Sequence, residues 1–118
     1  MVFDSEKIEN EYYDTKYIRK KYGQPFAVKL TKMLGFIDCA ECAYDVKNMP
    51  IYRMHLLSGD LEGVYSLSPD NYRTKWRVPV ICLDNNDTPW KPDSTHLEID
   101  VLKETKKFNV KEIVDYHD

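Results

Sequence analysis

The sequence predicts an α+β fold, in which N-terminal helices pack on one face of a mostly antiparallel sheet of about four strands. Two observations predict this fold. Apolar residues recur at helical spacing in the first third of the chain, and beyond residue 50 they alternate as in β-strands. The length of 118 residues is typical of one domain, so we expect residues 1–118 to form a single domain.

The N-terminal third carries start and stop signals for three helices, after a possible short strand over residues 1–4. Ser5 is placed to cap a first helical stretch, and Asp14 is placed to cap a second over residues 15–22 that ends at Gly23. The third stretch begins at Gln24-Pro25, since proline suits a first helical turn. Its apolar residues form a single stripe, which predicts a core-facing helix: Phe26, Ala27, Leu30, Met33, Leu34 and Ile37.

The later part of the chain is predicted to be mainly strands. A short helical turn over residues 40–46 comes first and is broken at Pro50. Strands are expected over residues 51–57, 63–68, 72–83 and 109–116. Pro79 predicts an edge or a bulge in the third of these strands, because proline cannot donate to a ladder. Residues 84–95 are expected to form a loop, and residues 97–104 a short helix or an arm.

Composition excludes several classes of protein. No apolar run approaches the roughly 20 residues that cross a bilayer, and the first residues lack the basic and apolar regions of a secretory signal. The chain has 3 cysteines, a small and odd number that argues against a disulfide framework. This cysteine content favours a reducing cytoplasm. The net charge of −3 is uneven, because residues 84–118 hold nine acidic and five basic side chains. The rest of the chain therefore has room for a local basic patch.

Alternation along the predicted strand 72–83 separates apolar from cationic side chains. Tyr72 and Trp76 share the apolar face with Thr74, Val78 and Val80, which suits contact with the helices. Three cations share the other face: Arg73, Lys75 and Arg77. This face is either a solvated surface balanced by carboxylates on neighbouring strands or a strip that binds phosphate.

Residues from two other predicted strands can join this cationic face. Arg53 and His55 have matching parity in the strand 51–57, and the last strand ends in Asp115, Tyr116 and His117. Imidazole exchanges protons near pH ~6.5, and arginine binds phosphate through two parallel hydrogen bonds. Such groups can cleave RNA without a metal, although a single histidine taken alone is more simply explained by a surface or capping role.

Other motifs are weaker. Cys39 and Cys42 form a lone C-x-x-C with no second pair, so a zinc site is not expected. The sequence contains no glycine-rich phosphate loop and no nucleophile-elbow motif, so we expect no cofactor and no metal. The basic run Arg19-Lys20-Lys21 is either a solvated helix face or a contact with RNA.

An ordered set of short motifs resembles the HigB (killer-protein) branch of the RelE-type toxins. The set spans nearly the whole chain in matching order. It consists of Arg19-Lys20-Lys21-Tyr22-Gly23, Tyr52 to Asp60, Gly63-Val64-Tyr65-Ser66, Asn71-Tyr72-Arg73 and Glu112 to His117. Residues 88–106 are similar to an extension found in one subgroup. Many members of the family have lysine just before the Gly-Asp turn, where this chain has Ser58.

The resemblance implies a cytoplasmic, ribosome-dependent endoribonuclease that cleaves messenger RNA in the A site without a metal. It also implies inhibition by a HigA-type helix-turn-helix antitoxin, contact with operator DNA only through that antitoxin, and no membrane partner. The implied catalytic residues are His55, Arg73, Asp115, Tyr116 and His117. Either histidine would transfer protons and Arg73 would stabilise the phosphate, while Tyr116 would stack on a base and Asp115 would orient His117 or accept a proton. Arg53, Lys75, Arg77, Arg19, Lys20 and Lys21 would bind RNA.

Two alternatives remain open at this point. The chain could be a non-catalytic toxin of the same fold that inhibits a protein such as DNA gyrase, or an interaction module with a decayed site. The terminal Asp115-Tyr116-His117 favours the ribonuclease, since a pure protein inhibitor has no need of two histidines beside Arg73.

Overall fold

The structure is a computed structural model that describes residues 1–115, apart from the side chain of Asp60. Within these residues the helices are α1 (Glu6–Tyr13), α2 (Thr15–Tyr22), α3 (Gln24–Cys39), α4 (Ala43–Lys47) and α5 (Glu98–Glu104). The strands are β1 (Val2–Phe3), β2 (His55–Leu56), β3 (Val64–Leu67), β4 (Trp76–Leu83), β5 (Lys107–Val110) and β6 (Val114–Asp115). The predicted α+β class is confirmed. In the described part of the chain no helix is long and apolar enough to span a membrane.

The predicted helix signals in the N-terminal third are confirmed. Ser5 caps α1 by accepting a hydrogen bond from the backbone N–H of Ile8 at 3.1 Å. Asp14 caps α2 by accepting from the N–H of Tyr17 at 3.0 Å, and Gly23 ends this helix with a φ of 97°. The apolar stripe of α3 is buried along its whole length. These contacts are local in sequence, which is why the pattern alone could predict them.

The sheet is mixed, and its strand order is β1-β5-β4-β3-β2, with β6 paired to the first residues of β4. β1 runs parallel to β5, and the other strand pairs are antiparallel. β4 therefore lies in the middle of the sheet, and β1 and β2 lie at its opposite edges. The predicted mostly antiparallel character is confirmed, whereas the predicted number of about four strands is wrong, because the described residues form six.

Register divides the sheet into two faces, because residues directly opposite in a ladder share a face. One face carries Tyr65 opposite Val80 and Val80 opposite Val110, and these side chains share one buried core with the α3 stripe. α5 also meets this face, since the hydroxyl of Tyr65 donates to Glu98 Oε2 at 2.9 Å. We call it the core face. The other face carries His55 opposite Ser66 and Ser66 opposite Pro79.

The predicted strand over residues 51–57 is wrong for its first half. A 3-10 helix occupies Pro50–Tyr52, and Arg53 follows it in the left-handed backbone region with a φ of 50° and a ψ of 33°. Proline has a fixed φ and no N–H, so it starts a helical turn more readily than a strand. Tyr52 and Met54 are buried in the core, as alternation would also place them, so only the backbone path differs from the prediction.

The predicted strand over residues 72–83 begins late, at Trp76. Asn71 and Tyr72 have φ values of 56° and 66°, and the N–H of Arg73 donates to the carbonyl of Asp70 at 3.2 Å. Two successive positive φ angles across such a bond describe a type I′ turn. The Ser68 hydroxyl stabilises the turn, because its Oγ accepts from the N–H of Tyr72 at 2.8 Å. Local bonds of this kind compete with a ladder.

The predicted strand over residues 109–116 is two separate strands within the described residues. Between β5 and β6 the chain leaves the ladder, and the carbonyl of Lys111 accepts from the Tyr12 hydroxyl at 2.6 Å. The side chain of Ile113 enters the core beside α1 and α2. Pro79 faces this interruption, and its carbonyl accepts from the N–H of Lys111 at 2.9 Å. The expected edge position of Pro79 is wrong, because β4 is the central strand. Pro79 instead lies where the partner of β4 changes from β6 to β5.

Candidate functional site

The candidate site lies at the β2 edge of the sheet, where the left-handed residue Arg53 precedes the strand. The Nε of Arg53 donates to Asn71 Oδ1 at 2.7 Å, which joins the lead-in to β2 to the turn between β3 and β4. The carbonyl of Arg53 turns toward His55, and His55 Nδ1 lies 2.9 Å from this oxygen. Arg53 is exposed and His55 half-buried, so both are open to solvent.

This contact fixes which nitrogen of His55 carries the proton in the neutral ring. A carbonyl oxygen only accepts hydrogen bonds, so Nδ1 is the protonated nitrogen and donates to it. The other nitrogen, Nε2, then has the free lone pair. His55 is therefore arranged as a proton acceptor at Nε2.

Tyr72 completes the contact between the two arginines, and sequence reasoning missed it. The Tyr72 ring lies 4.9 Å from the guanidinium carbon of Arg53 and 4.4 Å from that of Arg77, within the range of cation–π contacts. Its hydroxyl lies 3.5 Å from His55 Nδ1, and the side chain is 41% exposed. Alternation had placed Tyr72 on the helix side of the sheet, and that expectation is wrong because Tyr72 is in a turn.

Arg77 is held by backbone carbonyls. Its Nη1 donates to the carbonyl of Thr74 at 2.5 Å and to the carbonyl of Trp76 at 2.9 Å. Among residues 1–115 its Nε is buried and has no hydrogen-bond partner. Arg77 is two residues from Pro79 in β4 and so is on the face that carries His55. Its guanidinium thus anchors the bend before β4 and supports the Tyr72 ring.

We call Arg53, His55, Tyr72 and Arg77 the edge cluster. It combines an imidazole, a phenol and two fixed cations on a surface open to solvent. Of the predicted site residues, the structure brings together Arg53, His55 and Arg77. Arg73 is exposed in the bend directly after Tyr72, and its N–H belongs to the turn described above. Its backbone is therefore adjacent to the cluster.

Asp115 lies apart from the edge cluster. It is opposite Trp76 in the β4–β6 ladder, and the Trp76 ring packs edge-on against Tyr22 of α2 at 4.9 Å. Register therefore directs Asp115 toward the helices. Its carboxylate forms an ion pair with the exposed Lys75 at 3.6 Å. Tyr116 and His117 lie outside the described residues.

The basic run of α2 lies next to the first residue of β4, because Tyr22 at the end of α2 contacts Trp76. Lys21 lies over the rings of Tyr17 and Tyr22, each at 5.5 Å, and donates to the Tyr17 hydroxyl at 3.1 Å. That hydrogen bond raises the pKa of Lys21 above its ordinary value. Tyr22 contacts Trp76, and Lys75 lies over the Trp76 ring at 4.9 Å.

We call Lys21, Tyr22, Trp76 and Lys75 the cation–aromatic row. Arg19 and Lys20 extend it as exposed residues in the last turn of α2, where positive charge complements the helix dipole. In a chain with a net charge of −3, these side chains concentrate positive charge near the start of β4. Such a distribution matches a polyanion.

The other chemical groups of the described chain do not join the edge cluster. Cys39, Cys42 and Cys82 are free, and burial raises the pKa of Cys82 to about 11. Within residues 1–115 no group of three or more His, Cys, Asp or Glu side chains is arranged to hold a metal ion. His96 contacts Asp93 and the Trp90 ring in the long loop.

Comparison with known proteins gives no family assignment. No protein-family model matches this chain, and no curated protein matches it.

Proposed function

We propose that this chain is a ribosome-dependent messenger-RNA endoribonuclease that acts as the toxin of a toxin–antitoxin pair. The edge cluster is the observation that carries the proposal. It places an imidazole with a free lone pair beside two guanidinium groups and a phenol on an exposed surface. These are the groups that cleavage at a ribose 2′-hydroxyl requires. The choice of the ribosome as the place of action rests on the resemblance of the ordered motifs to RelE-type toxins.

His55 is the general base of the proposed reaction. Its Nε2 removes the proton from the 2′-hydroxyl, and the resulting oxygen attacks the adjacent phosphorus. The bond from phosphorus to the 5′-oxygen of the next nucleotide breaks, and that oxygen takes up a proton. The products are a 2′,3′-cyclic phosphate and a free 5′-hydroxyl, so no external water or oxidant is consumed.

Positive charge near His55 stabilises the crowded phosphorane. Arg53 uses only its Nε in the bond to Asn71, so its terminal nitrogens remain for a phosphate oxygen pair. Arg73 is exposed one residue beyond Tyr72 and is the second phosphate ligand. Arg77 has the supporting role, because its Nη1 already donates to two carbonyls.

The leaving 5′-oxygen needs an acid. The Tyr72 hydroxyl, close to the His55 ring, is one proton donor at the site. His117 is the donor that the family resemblance implies, with Tyr116 stacking on a base. Asp115 forms an ion pair with Lys75 and directly precedes these two residues in the chain. Its proposed role is to orient His117.

The cation–aromatic row gives the proposed toxin a second contact with RNA. Lysine side chains bind a phosphate backbone without selecting sequence, and exposed aromatic surface can stack on any base. Ribosomal RNA is the polyanion that fits, since the edge cluster must reach a message held in the A site. The proposed partner that blocks it is a HigA-type antitoxin, in the cytoplasm.

Primer extension on message from cells that express the chain tests this function. We expect cuts within the reading frame of a translated message. We expect none in the same message when its start codon is destroyed, because the ribosome must present the RNA. Equal cutting of both messages would indicate a ribosome-independent nuclease. Growth arrest with intact message would favour inhibition of a protein target.

A further inference from the structure

Strained backbone is concentrated at the edge cluster. Within residues 1–115 four non-glycine residues have a positive φ: Arg53, Asn71, Tyr72 and Asp87. Three of these belong to the cluster or contact it directly. A left-handed backbone is unfavourable for an ordinary residue, and asparagine tolerates it better than most. Contacts at the cluster must offset this cost.

Asn71 makes the contact that joins the strained residues. Its side-chain oxygen accepts from Arg53 Nε at 2.7 Å, across 18 positions of sequence. Its own left-handed backbone directs the chain so that Tyr72 reaches both guanidinium groups. Asn71 therefore holds Arg53 at its side chain, while the Arg53 carbonyl holds His55 Nδ1.

We infer that Asn71 is a positioning residue that sets the tautomer of His55. Through Arg53 it keeps the proton on Nδ1 and the lone pair on Nε2, facing the RNA. Free neutral histidine prefers the opposite tautomer, with its proton on Nε2, so the protein must impose this state. The role in catalysis depends on the proposed function, whereas the tautomer itself is a property of the folded chain.

The Tyr72 hydroxyl is the other group near Nδ1, and it competes weakly. It lies at 3.5 Å, against 2.9 Å for the Arg53 carbonyl. If the phenol donated to Nδ1, the proton of the ring would be on Nε2. The unprotonated Nδ1 would then face the Arg53 carbonyl oxygen, and both atoms are acceptors. The shorter contact therefore decides, and Tyr72→Phe is expected to leave the tautomer unchanged.

Nitrogen-15 NMR of the imidazole rings tests the inference at about pH 8.5, two units above the ordinary imidazole pKa. We expect the wild-type His55 to show the Nδ1–H form. Asn71→Gly keeps a residue that accepts positive φ but removes the side-chain oxygen, and should move His55 toward the Nε2–H form. Asn71→Asp retains an acceptor and should restore the Nδ1–H form. Asn85→Gly, in an exposed turn, is the matched control.

Kinetics give the second readout. Asn71→Gly should lower kcat for message cleavage about tenfold with little change in KM, and Asn71→Asp should recover most of it. Arg53→Lys removes the Nε donor from the other side of the same bond, so it must shift the tautomer in the same direction. This second variant keeps the inference testable if Asn71→Gly does not fold.

The outcomes separate the inference from the proposed function. An unchanged His55 tautomer in both Asn71→Gly and Arg53→Lys would overturn the positioning role, even if the wild type cleaves message. A shifted tautomer in a wild-type background that cleaves no message would support the positioning role and reject the ribonuclease.

Discussion

His55→Gln is expected to lower the rate of message cleavage by about 10²–10⁴-fold, the usual contribution of a general base. Glutamine is polar and near the size of histidine, but its amide cannot accept a proton at neutral pH. His55 is half-buried at the sheet edge and is not a member of the described hydrophobic core, so the free energy of unfolding should change by less than about 1 kcal/mol.

Single-turnover cleavage on ribosomes programmed with a defined message measures this effect. His96→Gln is the matched control, because His96 is exposed in the long loop and bonds to Asp93 there. It should cleave at the wild-type rate. If His55→Gln cleaved as fast as His96→Gln, His55 would not be the base.

The two arginines beside Tyr72 should respond differently to removal, and this is the second large effect. Arg53→Ala should lower kcat by about 10²-fold, as does the loss of one group that stabilises developing charge. Arg77→Ala should destabilise the fold by about 2 kcal/mol, because it leaves the carbonyls of Thr74 and Trp76 without their charged donor.

Cleavage rates and urea unfolding, measured on both variants, distinguish a phosphate ligand from an anchor. Lys29→Ala, on the exposed side of α3, controls for the loss of one positive charge. We expect it to leave both quantities near the wild-type values. A large loss of stability in Arg53→Ala, together with a purely kinetic loss in Arg77→Ala, would reverse the assigned roles.

Much of the helical part could be predicted from the sequence because its signals are local. Ser5 and Asp14 bond to N–H groups three residues away, and the α3 stripe follows directly from helical periodicity. Residues 97–104 are predicted to form either a short helix or an arm, and the structure shows the helix α5. The bond from Tyr65 to Glu98 ties it to the core, and no local signal reveals a contact across 33 positions.

The sheet was harder to predict because tertiary contacts override alternation. A 3-10 turn that starts at Pro50 also interrupts the segment that alternation assigns to a strand. Tyr12 takes the carbonyl of Lys111 and splits the last predicted strand. Parity was therefore reliable only where a ladder exists, which is why Arg77 was placed on the correct face and Tyr72 was not.

The candidate site was predictable by residue type more than by position. His55, Arg53 and Arg77 were chosen for their chemistry, and the structure brings them together around a tyrosine that alternation had assigned to the core. One signal could have found Tyr72. The run Ser68-Pro69-Asp70-Asn71 is rich in turn-forming residues, and the turn that it forms extends one residue further, to Tyr72.

A crosslinking measurement tests most directly whether RNA binds at the edge cluster. Tyr72 is replaced by the photoreactive p-benzoylphenylalanine, and Tyr13 carries the same replacement as the control. Tyr13 is 52% exposed and packs against Phe3 of β1, at the opposite edge of the sheet. The programmed message lacks the 2′-hydroxyl at its A-site nucleotides, so it is bound without being cut. We expect crosslinks to these nucleotides from position 72 and none from position 13. Crosslinks from position 13 alone would place the message on another surface and contradict the site.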